Sequence, residues 1–246
     1  MELAPGLTDA AAFALVGLSF FTSLITATFS LGGGSLMISA MALLLPPLVV
    51  VPLHGCVQLG SNAGRALVMR RHIQWPFILW ISLGAVLGSV IGGRFAYLLP
   101  GDWFVAVIGL FVLVTTWLPQ PRFIVGNPVV QFVGGTVVSA VGMVVGAAGP
   151  LVAAFVRGIP DRQQLVATHA TLNTLVHVFK VAVFVSLGFA FRQYVPLILV
   201  MIGSGLLGTL VGSRLLTRVP ERVFRFAFRI LLSLVALELI RRALWP

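Results

Sequence analysis

Apolar residues run in long windows along this chain, and polar residues fall between the windows or at helical intervals inside them. A helix needs about 20 apolar residues to cross a hydrocarbon core of about 30 Å. The windows predict spanning helices at 10–30, 48–69, 75–99, 103–118, 128–145, 165–190, 194–216 and 223–240. Two shorter apolar pieces, 35–45 and 151–156, each follow a cluster of small residues: Gly32-Gly33-Gly34 and Gly146-Ala147-Ala148-Gly149. A glycine run is a poor helix interior and a good tight turn, so each cluster is expected at the tip of a helical hairpin. Backbone groups freed in a bilayer need protein or water around them, so the tips are expected to line a cavity.

Composition makes the bilayer the solvent. The 246 residues are 59% hydrophobic and 9% charged, where a soluble domain carries roughly 25% charged residues. The net charge of +10 does not point to nucleic acid, because the basic residues sit singly or in pairs between apolar runs rather than along one polar face. The single cysteine, Cys56, excludes an intrachain disulfide and a cysteine-based metal cluster. The first ten residues carry Glu2 and Asp9 and lack the basic start of a cleaved signal peptide, so the first window is expected to be a retained helix. All six acidic residues fall at ends or in loops except Glu238, near the end of the last window. No carboxylate pair, metal-binding histidine cluster or nucleotide loop is present, so neither catalysis nor a metal or other cofactor is expected.

The chain repeats itself. Gly34-Ser35-Leu36 corresponds to Gly149-Pro150-Leu151 at an offset of 115, and the same offset maps His54 onto His169, Gln58 onto Asn173, Asn62 onto His177 and Arg65 onto Lys180. Further on, Gly88-x3-Gly92-x-Arg94 matches Gly208-x3-Gly212-x-Arg214 at offset 120, followed by Pro100 and Pro220. Internal repeats of this kind are common in transporters. The expected fold is therefore all-α: a polytopic membrane helix bundle of two repeats, 1–122 and 123–246, each a glycine-tipped hairpin plus three spanning helices.

Charge decides how the repeats are related. With a hairpin and three crossings per half, the second copy is upside down. Arg70, Arg71, Arg122, Arg157, Arg162, Arg214, Arg218, Arg222 and Arg225 then share one side, against Arg94, Arg192, Arg241 and Arg242 on the other. Four crossings per half remove the bias. The positive-inside rule favours inverted repeats, with the arginine-rich side cytoplasmic and both termini outside.

Two stripes carry the candidate chemistry. His54, Gln58, Asn62 and Arg65 are spaced i, i+4, i+8, i+11, one face of a helix, and His169, Asn173, His177 and Lys180 repeat that spacing. Polar groups at membrane depth are costly and face a bundle interior or aqueous cavity. The cations would supply charge and the amides hydrogen bonds; the alternative is helix–helix adhesion. His54, His169 and His177 are also candidate proton carriers. The glycine clusters add Gly32, Gly33, Gly34, Ser35, Gly146, Gly149 and Pro150. A helix starting just after Gly34, with Ser35 as candidate cap, would aim its N–H groups and dipole at the turn, and Pro150 suits a first helical turn. That arrangement takes an anion. The runs Gly84-x3-Gly88-x3-Gly92 and Gly208-x3-Gly212 are expected to be packing seams. Trp75, Trp103, Trp117 and Trp245 fit an aromatic belt at segment ends.

Leu31-Gly-Gly-Gly-Ser35, Pro52-Leu-His-Gly55, Gln58, Ser61-Asn62-x2-Arg65 and His72-Ile-x-Trp75, with the second copy at Gly146-x2-Gly149-Pro150 and His169 to Lys180, resemble the TauE/SafE family of membrane permeases. The resemblance covers nearly the whole chain. It implies transport of small sulfur-containing anions, such as sulfite, thiosulfate or organosulfonates, across a bacterial-type cytoplasmic membrane. The chain departs from the family pattern at Ser39, where a proline is usual, and at Ala147-Ala148, where more glycine is usual. The expected partners are a small anion and the lipid bilayer, with homo-oligomerisation open. An anion channel or a cation permease is the alternative, although a cation site would want inward carboxylates.

Overall fold

A computed structural model describes residues 3–29, 32–96, 101–118, 127–215 and 221–245. Glu2, Leu31, Pro100, Arg122, Arg218 and Pro220 of the sequence argument lie outside them. The described residues form ten helices: α1 (Asp9–Phe29), α2 (Gly33–Leu44), α3 (Pro47–Val68), α4 (Ile78–Ala96), α5 (Gly101–Trp117), α6 (Pro128–Val145), α7 (Gly149–Val156), α8 (Arg162–Ser186), α9 (Val195–Leu215) and α10 (Glu221–Leu244). The protein is an all-α, multi-pass membrane helix bundle. Five stretches are long and apolar enough to cross a membrane: Asp9–Phe29, Trp75–Ala96, Pro128–Val145, Arg162–Ser186 and Phe191–Arg214. Helix α3 has the length but carries the polar stripe, and α10 carries arginines along it. At 12 and 8 residues, α2 and α7 reach only about 18 and 12 Å.

Helix ends follow local chemistry. Asn127 caps α6, its side chain accepting from Val129 N at 2.9 Å, with Pro128 in the first turn. Asp161 caps α8 by accepting from Gln164 N at 2.7 Å, which starts that helix at Arg162, three residues before the apolar window suggests. Leu45 turns extended where Pro46-Pro47 stop α2.

Ser35 is not a cap, contrary to the sequence expectation. Helix α2 begins at Gly33, its N-cap is Gly32 at φ +95°, and Ser35 is already inside it. The reason is tertiary. A Cβ at Gly33 would collide with the Thr22 carbonyl and Thr26 hydroxyl of α1, so glycine here buys close approach rather than a turn. In the second cluster Gly146, at φ +79°, ends α6, and α7 opens at Gly149 with Pro150 in its first turn.

The two halves of the chain are interlaced. Helix α1 packs mainly on α9, and α4 mainly on α6, so each half's first helix lies against the other half's fourth element. Helices α3 and α8 pair with one another, as do α5 and α10. The glycine runs make the first two contacts possible. A Cβ at Gly84, Gly88 or Gly92 would strike the α6 carbonyls of Phe132, Thr136 or Ala140, and one at Gly208 or Gly212 would strike those of Phe20 or Leu24 on α1. Cross-chain hydroxyl bonds reinforce the α1–α9 contact: Ser19 Oγ donates to Met201 O and Ser204 Oγ to Val16 O, each at 2.7 Å.

Outward faces carry large exposed apolar side chains, among them Phe13, Phe21, Leu199 and Leu207, while His54, Asn62, Arg65, His169, Asn173, His177 and Lys180 are buried. Apolar outside and polar inside is the pattern of a protein solvated by lipid.

Candidate functional site

The two short helices start against the paired α3 and α8. A small cavity of about 20 Å³ lies between their N-termini, lined by Gly32, Gly34, Ser35, His54, Gln58, Asn62, Gly149, Pro150, His169, Asn173 and His177, together with Thr26, Ala147 and Ala148. A volume of this size holds about one water; a four-heavy-atom oxyanion needs the walls to part. Of the expected residues, Gly33, Arg65, Gly146 and Lys180 stand behind the lining.

Matching contacts recur at matching positions. His54 Nε2 lies 3.0 Å from Gly34 O, and His169 Nε2 lies 3.0 Å from Gly149 O. A carbonyl can only accept, so each ring donates from Nε2 and ties the long helix to the first turn of the short one. A Cβ on Gly34 would sit 3.5 Å from Gln58 Nε2, and one on Gly149 3.8 Å from Asn173 Oδ1, so each glycine opens onto the equivalent amide.

Both cations are fully buried, Arg65 at 1% and Lys180 at 0% exposure. Neither snorkels to an interface, and their roles differ. Arg65 Nη1 donates to Asn62 Oδ1 at 3.0 Å and Nη2 to Ser61 Oγ at 3.4 Å. Asn62 Nδ2 in turn donates to Gln58 Oε1 at 3.1 Å, which leaves the Gln58 amide N–H groups toward Gly34. Positive charge thus reaches the cavity through two polarised amides. Lys180 Nζ instead donates to Gly146 O at 2.7 Å, holding the last turn of α6. A Cβ on Gly55 would stand 3.0 Å from Lys180 Cδ, so this glycine leaves room for the lysine stem. Among the described residues neither cation is hydrogen-bonded to a carboxylate, whereas Glu238 pairs with Arg241 and Arg242 at 2.8 Å.

Unmatched polar atoms concentrate here. His54 Nδ1, Arg65 Nε and His177 Nδ1 are buried without a hydrogen-bond partner. The His54 and His177 rings approach edge-on, with centroids 5.8 Å apart. Such atoms are costly unless something else meets them.

The short helices are unequal donors. The N–H groups of Gly33, Gly34 and Ser35 precede the first α2 bond, Leu36 N to Gly32 O. In α7, Pro150 has no N–H, and Leu151 N already donates to Ala148 O at 3.0 Å. The start of α2 thus presents more N–H groups without an intrahelical partner than the start of α7.

Sequence reasoning missed Thr26 in the lining, Ser61 as a second partner of Arg65, and Gly55 as the slot for Lys180. Ser61 follows the helical register, one turn before Arg65, and could have been found; the rest depend on contacts between distant segments.

Neither a curated protein nor a solved structure matches this chain. The family model for sulfite exporter TauE/SafE matches residues 15–239. With that match spanning nearly the whole bundle and its duplicated glycine turns, the chain belongs to the TauE/SafE sulfite exporter family of membrane permeases.

Proposed function

We propose that this protein is a secondary transporter that moves a small sulfur-containing oxyanion, sulfite or an organosulfonate, across a cytoplasmic membrane by alternating access. One observation carries the reading: Arg65 is buried, always charged, and among the described residues hydrogen-bonded only to neutral groups that lead to the N-terminus of α2. A buried cation facing no carboxylate is half of an ion pair, and a transported anion supplies the other half. A site that binds cations would show the opposite chemistry.

In this reading the anion sits between the glycine turns. The N–H groups of Gly33, Gly34 and Ser35 and the amides of Gln58, Asn62 and Asn173 take its oxygens, while His54, His169 and His177 carry any coupled proton. The two halves are inverted repeats, the arginine-rich side is cytoplasmic, and both termini are outside. An inside-negative potential then favours export by about 2.3 kcal/mol per charge per 100 mV. The moving units are the α1–α9 and α4–α6 pairs rather than the sequence halves, because the tightest contacts join helices from opposite halves.

The test is tracer sulfite and sulfonate flux in proteoliposomes, with and without a proton gradient. Saturable flux with counterflow is the expected result. Unsaturable, purely potential-driven flux refutes the carrier and leaves a channel; absence of any oxyanion flux refutes both.

A further inference from the structure

We propose that the Ser35 hydroxyl selects the substrate: it stands in a ring of three residues through which the anion enters the central site, and it favours sulfite over sulfonates with a carbon tail. The proposal rests on the transport reading above and deepens it by naming the preferred member of the substrate class.

The ring lies where two cavities meet. Beside the central cavity of about 20 Å³ is a second one of about 330 Å³, bordered on its far side by α10 and the end of α5. Among the described residues, Gly32, Ser35 and Pro150 line both. An anion moving from the larger space to the smaller one crosses between them, at the place where α2 and α7 approach each other.

Two members of the ring cannot adjust. Gly32 sits at φ +95°, and a Cβ there would strike the Phe228 ring of α10. Pro150 has a locked φ and no N–H to offer a ligand. Of the three, Ser35 alone has a side chain that donates a hydrogen bond. At the repeat offset of 115 it is the counterpart of Pro150, so the ring pairs one donor with one apolar residue.

The state of that hydroxyl points to a ligand. Ser35 is 3% exposed, yet its Oγ makes no hydrogen bond with any described residue. Neighbouring buried hydroxyls are satisfied within the bundle: Thr26 Oγ1 donates to Thr22 O at 2.7 Å, and Ser23 Oγ pairs with Ser61 Oγ at 2.8 Å. Ser39, Ser139 and Thr209 also lack partners, but none of them borders the central cavity. A buried hydroxyl left unpaired costs stability. The one at Ser35 borders the space that the unbonded N–H groups at the start of α2 also reach, so an anion oxygen there meets both.

Selectivity follows from size. Sulfite brings three oxygens and no carbon. A sulfonate brings the same oxygens and a carbon that accepts no hydrogen bond and must push apart the walls of a cavity sized for about one water. A methylene too many in a packed site is worth about tenfold or more.

The full-length protein in proteoliposomes is assayed for flux of sulfite, methanesulfonate and ethanesulfonate. Wild type is expected to prefer sulfite to ethanesulfonate by about tenfold or more in kcat/KM. Ser35→Ala should raise the KM for sulfite about tenfold or more, the value of a hydrogen bond to a charged group, and narrow the preference. Its Tm should equal or exceed that of wild type, because the lost hydroxyl holds nothing within the protein. Ser35→Thr keeps the donor and adds a methyl, so sulfite transport recovers while ethanesulfonate falls about tenfold further. The alanine variant decides the matter even if the threonine variant fails to fold. An unchanged sulfite KM, equal losses for all three anions, or a lowered Tm in Ser35→Ala overturns the proposal and leaves the transport reading standing. A wild type that carries none of the three anions refutes the transport reading itself.

Discussion

Replacing Gly34 with alanine should separate stability from transport. Gly34 is the second residue of α2, and its added methyl would stand 3.5 Å from Gln58 Nε2, an ordinary contact. The backbone is helical there, so alanine costs no strain and removes unfolded-state freedom. The helix gains about 0.5–1 kcal/mol, which for a chain of this size raises Tm by roughly 1–4 °C. The same methyl enters the cavity of about 20 Å³ at the α2 N-terminus. It blocks an anion oxygen from the Gly34 and Ser35 N–H groups, and loss of one charge-assisted bond slows flux by about tenfold or more. One preparation serves both measurements, a thermal scan and tracer sulfite flux. Gly146→Ala is the contrast: φ is +79° and the methyl would collide with Ile38, so stability falls by at least about 1 kcal/mol along with flux. A Gly34→Ala protein that carries sulfite at the wild-type rate refutes the placement of the site.

Arg65→Gln should abolish saturable anion binding, measured by sulfite protection against thermal unfolding, while membrane insertion stays normal; Lys180→Gln should loosen the end of α6 and lower Tm, because its bond goes to Gly146 O. Asn62→Leu removes the shorter of the two hydrogen bonds to the buried Arg65 guanidinium and should destabilise the protein by about 1.5–3 kcal/mol in detergent unfolding, a larger loss than Arg65→Gln causes. Gly88→Leu should prevent α4 from seating on α6 and yield protein that aggregates on extraction, whereas Gly203→Leu, with open space around it, should leave size-exclusion profiles unchanged. His177→Gln should flatten the dependence of flux on a proton gradient if the His54–His177 pair carries the proton; a gradient response equal to wild type refutes that role.

Much of this fold is legible in the sequence because the bilayer imposes length and apolarity on every crossing, and because the polar stripes repeat at one offset. His54 with Gly34, and His169 with Gly149, keep both the same separation along the chain and the same bond. What was not legible has a common cause. The position of Arg65 behind Asn62, the attachment of Lys180 to α6 and the helical state of Gly33 are settled by contacts with distant segments. Propensity reads Gly32-Gly33-Gly34 as a turn. The approach of α2 to Thr22 and Thr26 makes only Gly32 a turn and gives the other two to the helix. The serines of α1 read as weakly polar spots in a spanning segment, yet Ser19 finds its acceptor 182 residues away.

The interlacing of α1 with α9 bears on how the molecule is made. During synthesis α1 reaches the membrane long before its mate exists, and the hydroxyl of Ser19 must wait for Met201. Until then the glycine-lined groove that will receive α1 has not been translated, and lipid occupies the flank of the nascent helix. Assembly must therefore finish after insertion, by sorting of helices already in the bilayer. A chain ending before α9 leaves α1 without its principal neighbour, which makes early truncation products natural substrates for membrane quality control.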